Sequence, residues 1–146
     1  MEKTYQMLLY RAYHAQRAYM RAGLAGMGLG AGQPKLLSFL ATNGPCLQKD
    51  MAEYFEIDPA AVCRMLDSLD RNGFIQRGTS RAGRKTGLIH LTELGRRAHE
   101  SWQHRRQAME RTMLEGFSEE ERAQLADYLS RAYRNLRTAL NREADQ

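Results

Sequence analysis

The chain has 146 residues and a formal charge of +5, with 22 Lys and Arg against 17 Asp and Glu. That length suits one domain, able to bury roughly two-thirds of its unfolded surface. No apolar run approaches the ~18 residues of a membrane span, and MEKTYQMLLYRAYHAQR lacks the apolar core and cleavage site of a signal peptide. A cytoplasmic location is therefore expected, and the two cysteines, Cys46 and Cys63, fit a reducing compartment. The positive charge favours a polyanionic partner, weakly on its own.

Residues 3–22 read as a helix, with Tyr5, Leu8, Ala12, Ala15 and Tyr19 in a four-three rhythm that matches a heptad seam. The stretch AGLAGMGLGAG at 22–32 fits no phosphate loop. A G-x-G-x-x-G frame begun at Gly28 ends on Gln33, no GK[ST] follows, and no strand precedes it. It reads as a flexible connector. Residues 33–43 predict a short helix burying Leu36, Leu37, Phe39 and Leu40, and Gly44-Pro45 turns the chain. Residues 47–56 predict a second, with Leu47, Met51, Ala52 and Phe55 inward.

The next helix, 59–72, is the best marked. Asp58 is a good N-cap, Pro59 suits the first helical position, and Asn72-Gly73 supplies the left-handed stop. Val62, Met65, Leu66 and Leu69 form its apolar face; Ala60, Ala61, Cys63, Arg64, Asp67 and Ser68 form the other. Short helices joined by tight turns, the last one well capped, are the helix-turn-helix pattern. Residues 74–77 and 88–91 are strand-like around the turn GTSRAGRKTG, a hairpin that makes a wing. Thr92 caps a helix to about Glu115 with Leu94, Ala98, Trp102, Met109 and Met113 inward. Ser118 and Glu121 make a capping box for a final helix carrying Leu125, Leu129, Ala132, Leu136 and Leu140. The fold class is mainly α (α+β), a winged helix-turn-helix flanked by outer helices whose stripes need a partner, most simply a two-fold mate.

The charge is concentrated. Between Ala60 and Thr92, Arg64, Arg71, Arg77, Arg81, Arg84 and Lys85 face only Asp67 and Asp70. A basic stripe beside a presented helix is the electrostatic footprint of a nucleic-acid-binding face. Arg71 and Arg77 have a second reading each, as a helix-end cation and as an ion pair at the base of the wing.

IDPAAVCRMLDSLDRNGFIQR, the basic hairpin and LIHLTELG together resemble the MarR family of winged helix-turn-helix transcriptional regulators, over essentially the whole chain. The resemblance implies a single domain, 1–146, with 33–92 as the DNA-binding module and 1–32 and 93–146 as dimerisation helices and connector. It implies a homodimer on a pseudo-palindromic DNA operator, usually a repressor relieved by a small phenolic or lipophilic effector. The family's wing usually carries Asp, any residue, then Arg; here those places hold Gly83, Arg84 and Lys85. Arg81, Arg84 or Lys85 can each be the minor-groove probe.

In that setting Pro59, Ala60, Ala61 and Cys63 let the helix backbone approach the major groove, where either alanine can touch a thymine methyl. Arg64 can reach guanine bidentately or clasp a phosphate. Gln48 and Lys49 open the preceding helix, where phosphates are attracted. Tyr10, Tyr13, His14, Arg17 and Trp102 are the expected effector-binding residues, by resemblance. An alternative regulator senses oxidants through Cys63, activated by the helix N-terminus and Arg64.

Catalysis is not expected: His14, His90, His99 and His104 are scattered, and no serine or cysteine has a nucleophile's setting. His99 and His104 do not share a helical face, and Cys46 and Cys63 have no ligand spacing, so neither metal nor cofactor is expected.

Overall fold

Thr4 accepts a hydrogen bond from the Met7 amide at 3.2 Å and so starts the first helix. The computed structural model describes residues 4–79, 82–83 and 85–146. In chain order these form α1 (Tyr5–Arg21), α2 (Leu24–Met27), α3 (Gln33–Asn43), α4 (Gln48–Phe55) and α5 (Pro59–Arg71). The hairpin β1 (Ile75–Thr79) and β2 (Lys85–Leu91) follows, then α6 (Glu93–Met113) and α7 (Glu119–Ala144). Two compact units result, Met1–Met109 and Glu110–Gln146.

The expected helix-turn-helix is present, and its core is the one the apolar spacing marks. Leu36 and Leu37 of α3, Met51 of α4, and Val62, Leu66 and Leu69 of α5 are fully buried, with Ile75 and Ile89 from the hairpin. Each such side chain contributes about 1.5–3 kcal/mol of transfer free energy. Phe39 and Phe55 are only half-buried and pack against this core from its edge.

The strands pair antiparallel, with Ile75 opposite Leu91 and Arg77 opposite Ile89, and a bulge between Arg77 and Thr79. Both strands run longer than the sequence pattern indicates. A further bridge joins Cys46 to Ile89, through Cys46 N–H to Ile89 O at 3.3 Å and Ile89 N–H to Cys46 O at 2.8 Å. That bridge buries Cys46, and burial together with the Asp50 carboxylate pushes its thiol pKa up.

The glycine-rich stretch is more than a flexible connector. It contains α2, and both Leu24 and Leu29 drop into the core. Gly28 at φ 71° ends α2, and Gly32 at φ 82° sets the start of α3, conformations that glycine adopts without steric cost.

The segment Leu91-Thr92-Glu93-Leu94-Gly95 acts as a joint between hairpin and helix. Thr92 Oγ1 donates to Gly73 O at 2.6 Å and accepts from the Gly95 amide at 3.1 Å, while the Thr92 amide donates to Phe74 O at 3.2 Å. Gly95 is buried against the chain itself: a Cβ built there would lie 2.0 Å from the Phe74 carbonyl oxygen. The inward face of α6 therefore runs through Gly95, Ala98, Trp102 and Met109. Leu94, expected inward, is 48% exposed and rests over Gly73; Met113 is likewise exposed.

Gly95→Ala should destabilise the fold by about 1–3 kcal/mol, the usual cost of overpacking a tight contact. Gly26→Ala is the control, because a Cβ there meets nothing within 4 Å. It should be neutral or raise stability by up to about 1 kcal/mol. Urea midpoints for the two variants decide the matter.

In the second unit, Ser118 Oγ accepts from the Glu121 amide at 3.1 Å and the Glu121 carboxylate accepts from the Ser118 amide at 3.0 Å. This is the expected capping box. Arg122 reaches back to the Leu114 carbonyl at 3.5 Å.

Candidate nucleic-acid interface

Asp58 accepts from the Ala60 amide at 3.4 Å and fixes the first turn of α5, and Pro59 occupies its first position. Val62, Leu66 and Leu69 bury one face, which leaves the other to solvent. Pro59, Ala60 and Arg64 are exposed, while Ala61 and Cys63 are half-buried. Among the described residues nothing pairs with the Arg64 guanidinium, so its five donors are available to an outside acceptor.

Polar contacts from α4 and β1 hold this helix. At its start the Gln48 amide group donates to the Pro59 carbonyl at 3.4 Å, which sets the first turns of α4 and α5 side by side. Lys49 is exposed beside it. Further along, Arg77 of β1 donates to Asp67 at 2.7 Å and lies 3.9 Å from Asp70. Of the two readings of Arg77, geometry selects the ion pair, an exposed one of about 0–1 kcal/mol whose main effect is to fix α5 against the hairpin. Arg71 stands exposed in the last turn of α5.

The Cys63 thiol lies 3.9 Å from Asp67 Oδ2, to which it can donate. Arg81 and Arg84 lie outside the described residues. Lys85 opens β2, and its side chain lies outside them too.

Residues of α1, α2, the turn before α3, α3 itself and Trp102 of α6 line a cleft of about 440 Å³. Tyr13, Arg17 and Trp102, three of the five expected effector residues, line it. Tyr10 and His14 do not; they stack on each other with ring centroids 5.1 Å apart. The cleft adds Arg21 and Lys35, which the sequence reading missed, and Met20, Leu24 and Pro34 supply its apolar surface. Among the described residues that line it, none is acidic. One signal was available: α1 contains no Asp or Glu, and Arg21 follows Arg17 by one helical turn. The Arg105 guanidinium donates to the Tyr19 carbonyl and stacks 4.5 Å from the Tyr19 ring, tying the end of α1 to α6.

His99 of α6 meets α3, with its Nδ1 3.1 Å from Ser38 Oγ. Burial, and secondarily the Arg106 cation, hold the imidazole pKa below its ordinary 6.5, against a smaller opposing pull from Glu100. The folded state thus binds fewer protons here than the unfolded chain. Stability from this group is complete above pH 6.5 and declines as pH falls below it through the folded-state value. His99→Gln, which keeps a hydrogen-bonding partner for Ser38, should flatten that decline in urea midpoints taken across pH.

Three helices, the third capped and presented, followed by a two-stranded hairpin, define a winged helix-turn-helix. The chain belongs to the MarR family of transcriptional regulators; that family's model matches residues 29–85. It is 31% identical over 109 residues to the uncharacterized HTH-type transcriptional regulator YdgJ of Bacillus subtilis (strain 168), covering 75% of this chain and 66% of that one. It spans about two thirds of that relative's length. Among solved structures, a probable transcriptional regulator from Pseudomonas aeruginosa superposes with a TM-score of 0.72 at 27% identity, over 89% of this chain and 97% of that one. The transcriptional regulator SlyA gives a TM-score of 0.76 at 26% identity, over 92% and 94%. No helix among the described residues is long and apolar enough to cross a membrane.

Proposed function

We propose that the protein is a homodimeric, sequence-specific DNA-binding regulator whose hold on its operator is controlled by a small amphipathic anion. The observation that carries this reading is the front of α5, where Pro59, Ala60 and Arg64 are exposed, Arg64 without a partner among the described residues, on a helix held at its start by Gln48 and further along by Arg77. Such a helix fits the major groove, small residues admit its backbone, and arginine reads guanine or grips phosphate. Gln48 and Lys49 take adjoining phosphates at the start of α4. The loop cations Arg81, Arg84 and Lys85 serve the minor groove.

Dimerisation is supported by the outer helices. Tyr5 is 93% exposed and Leu136 65%, and Leu8, Leu129 and Leu140 are also exposed along their stripes. A two-fold mate would bury both stripes and set two modules one helical turn apart on DNA, about 34–36 Å. The effector reading rests on the cleft, whose apolar floor and three cations suit a phenolate or carboxylate carrying a ring. The family resemblance supports repression as the sense of regulation.

Selection of bound duplexes from a random pool tests the reading. Enriched sites should be pseudo-palindromes with half-sites one turn apart, and light scattering should give about twice the 16.7 kDa chain mass. Sites without a dyad, or a monomer that still binds tightly, would overturn it.

A further inference from the structure

The last turn of α1 ends irregularly. The Gly23 amide donates to Met20 O at 3.1 Å, three residues back, so the Tyr19 carbonyl lacks the partner that a continuing helix would supply. Arg105 of α6 takes that carbonyl. Its Nε donates to Tyr19 O at 3.0 Å, and a second guanidinium N–H donates to the same oxygen. The guanidinium carbon also lies 4.5 Å from the Tyr19 ring centroid.

The arginine reaches this place by crossing Gly23. A Cβ built on Gly23 would overlap Arg105 Cδ and lie 2.5 Å from Nε. Gly23 is not there for its backbone, because φ −86° and ψ −12° are open to other residues. It leaves a gap for the side chain. Among the described residues no carboxylate pairs with Arg105. Its charge is held by a carbonyl at the negative end of a helix and by a ring face.

The two helices joined here have separate tasks. α1 carries the exposed stripe, starting at Tyr5, that a two-fold mate would cover. Tyr19, the last member of that rhythm, is half-buried at the contact. α6 starts from the Thr92 joint, where Gly73 and Phe74 tie it to the end of α5 and to the hairpin. Gly95 lies about 15 Å along α6 from Arg105. A tilt of about 10° at Arg105 therefore carries the joint about 2.6 Å, most of the ~3.4 Å rise of one base pair. A two-fold mate doubles that displacement across the dyad.

We propose that Arg105 is a positioning residue: with Tyr19 and Gly23 it locks α1 to α6 and so sets the half-site spacing that the dimer accepts. This rests on the two-fold reading of the outer helices.

Gel-shift titrations of the full-length chain test it, on an operator selected from the random pool and on versions with one base pair added or removed between half-sites. The wild type should lose about tenfold in affinity on either altered duplex. Arg105→Gln removes the fork, and Gly23→Ala expels it while leaving the arginine in the chain. Each should bind all three duplexes within about threefold of one another. Both should keep cooperative urea unfolding and the wild-type base preference within each half-site, because α5 is untouched. The double variant should match the single ones, since both break the same contact. Arg105→Lys, which keeps the charge without the planar fork, should behave as Arg105→Gln does. Variants that unfold more readily yet still reject the altered spacers would make the contact purely structural. That result, or losses that add in the double variant, overturns the proposal and leaves the two-fold reading intact. A wild type indifferent to spacer length overturns the two-fold reading, and the proposal with it.

Discussion

Replacing Arg81, Arg84 and Lys85 together by glutamine should flatten the salt dependence of DNA binding and lower affinity steeply at low salt. Each phosphate neutralised by a cation releases counterions, and the slope of log affinity against log salt changes by about 0.9 per contact. A two-fold dimer doubles every loop cation. Complete engagement therefore amounts to six contacts, enough to cost the wild type about 10³ in affinity between 50 and 200 mM salt. The triple variant should be far less sensitive over that range. Sequence choice at the major-groove positions should survive, because minor-groove readout is degenerate. Titrations across a salt series check this, and an unchanged slope would reduce the basic loop to a solvated turn.

Arg64→Ala carries the other large effect. The guanidinium is exposed and unpaired among the described residues, so its loss costs the fold little and the complex much. Specific binding should weaken by about 1–3 kcal/mol. If Arg64 reads a base, preference relaxes at one position in each half-site; if it grips a phosphate, affinity falls evenly across sequences and the salt slope shrinks. Binding to the selected operator and to its single-position variants separates the two. Full-strength binding by Arg64→Ala would place another element in the groove.

The helix-turn-helix was legible because its signals are local and agree. Leu36, Leu37, Met51, Val62, Leu66 and Leu69 recur at helical spacing, and Asp58, Pro59 and Gly73 mark the ends of α5 in a few residues. The outer edge of that core was less legible. Leu94 outranks Gly95 in hydrophobicity, yet Gly95 faces inward because the Phe74 carbonyl leaves room for no side chain there. Contact between backbones has no hydrophobic signature. Leu24 and Leu29 were hidden for a related reason, two leucines in a run of glycines with no period to reveal their burial.

The site divides along the same line. The presented face of α5 could be read from one stretch of chain. The cleft was legible only by resemblance, which named Tyr13, Arg17 and Trp102 but not Arg21 or Lys35, because its lining comes from helices far apart in sequence. Arg77 had two readings that sequence could not separate, and its 2.7 Å approach to Asp67 separates them.

The polar contacts on α5 have an evolutionary consequence. One uses the carbonyl of Pro59, a backbone atom, and the others use Asp67 and Asp70. None of them involves the side chains of Ala60, Ala61 or Arg64. On the proposed reading the residues that hold the helix are therefore different from those that would meet a base, and replacements at the exposed Ala60 and Arg64 change the stability of the fold by no more than about 0.5 kcal/mol. A duplicated copy of this chain can drift toward a new operator one side chain at a time, without passing through unfolded intermediates. The architecture separates what the protein recognises from whether it folds, and that separation lets one scaffold diversify into many regulators.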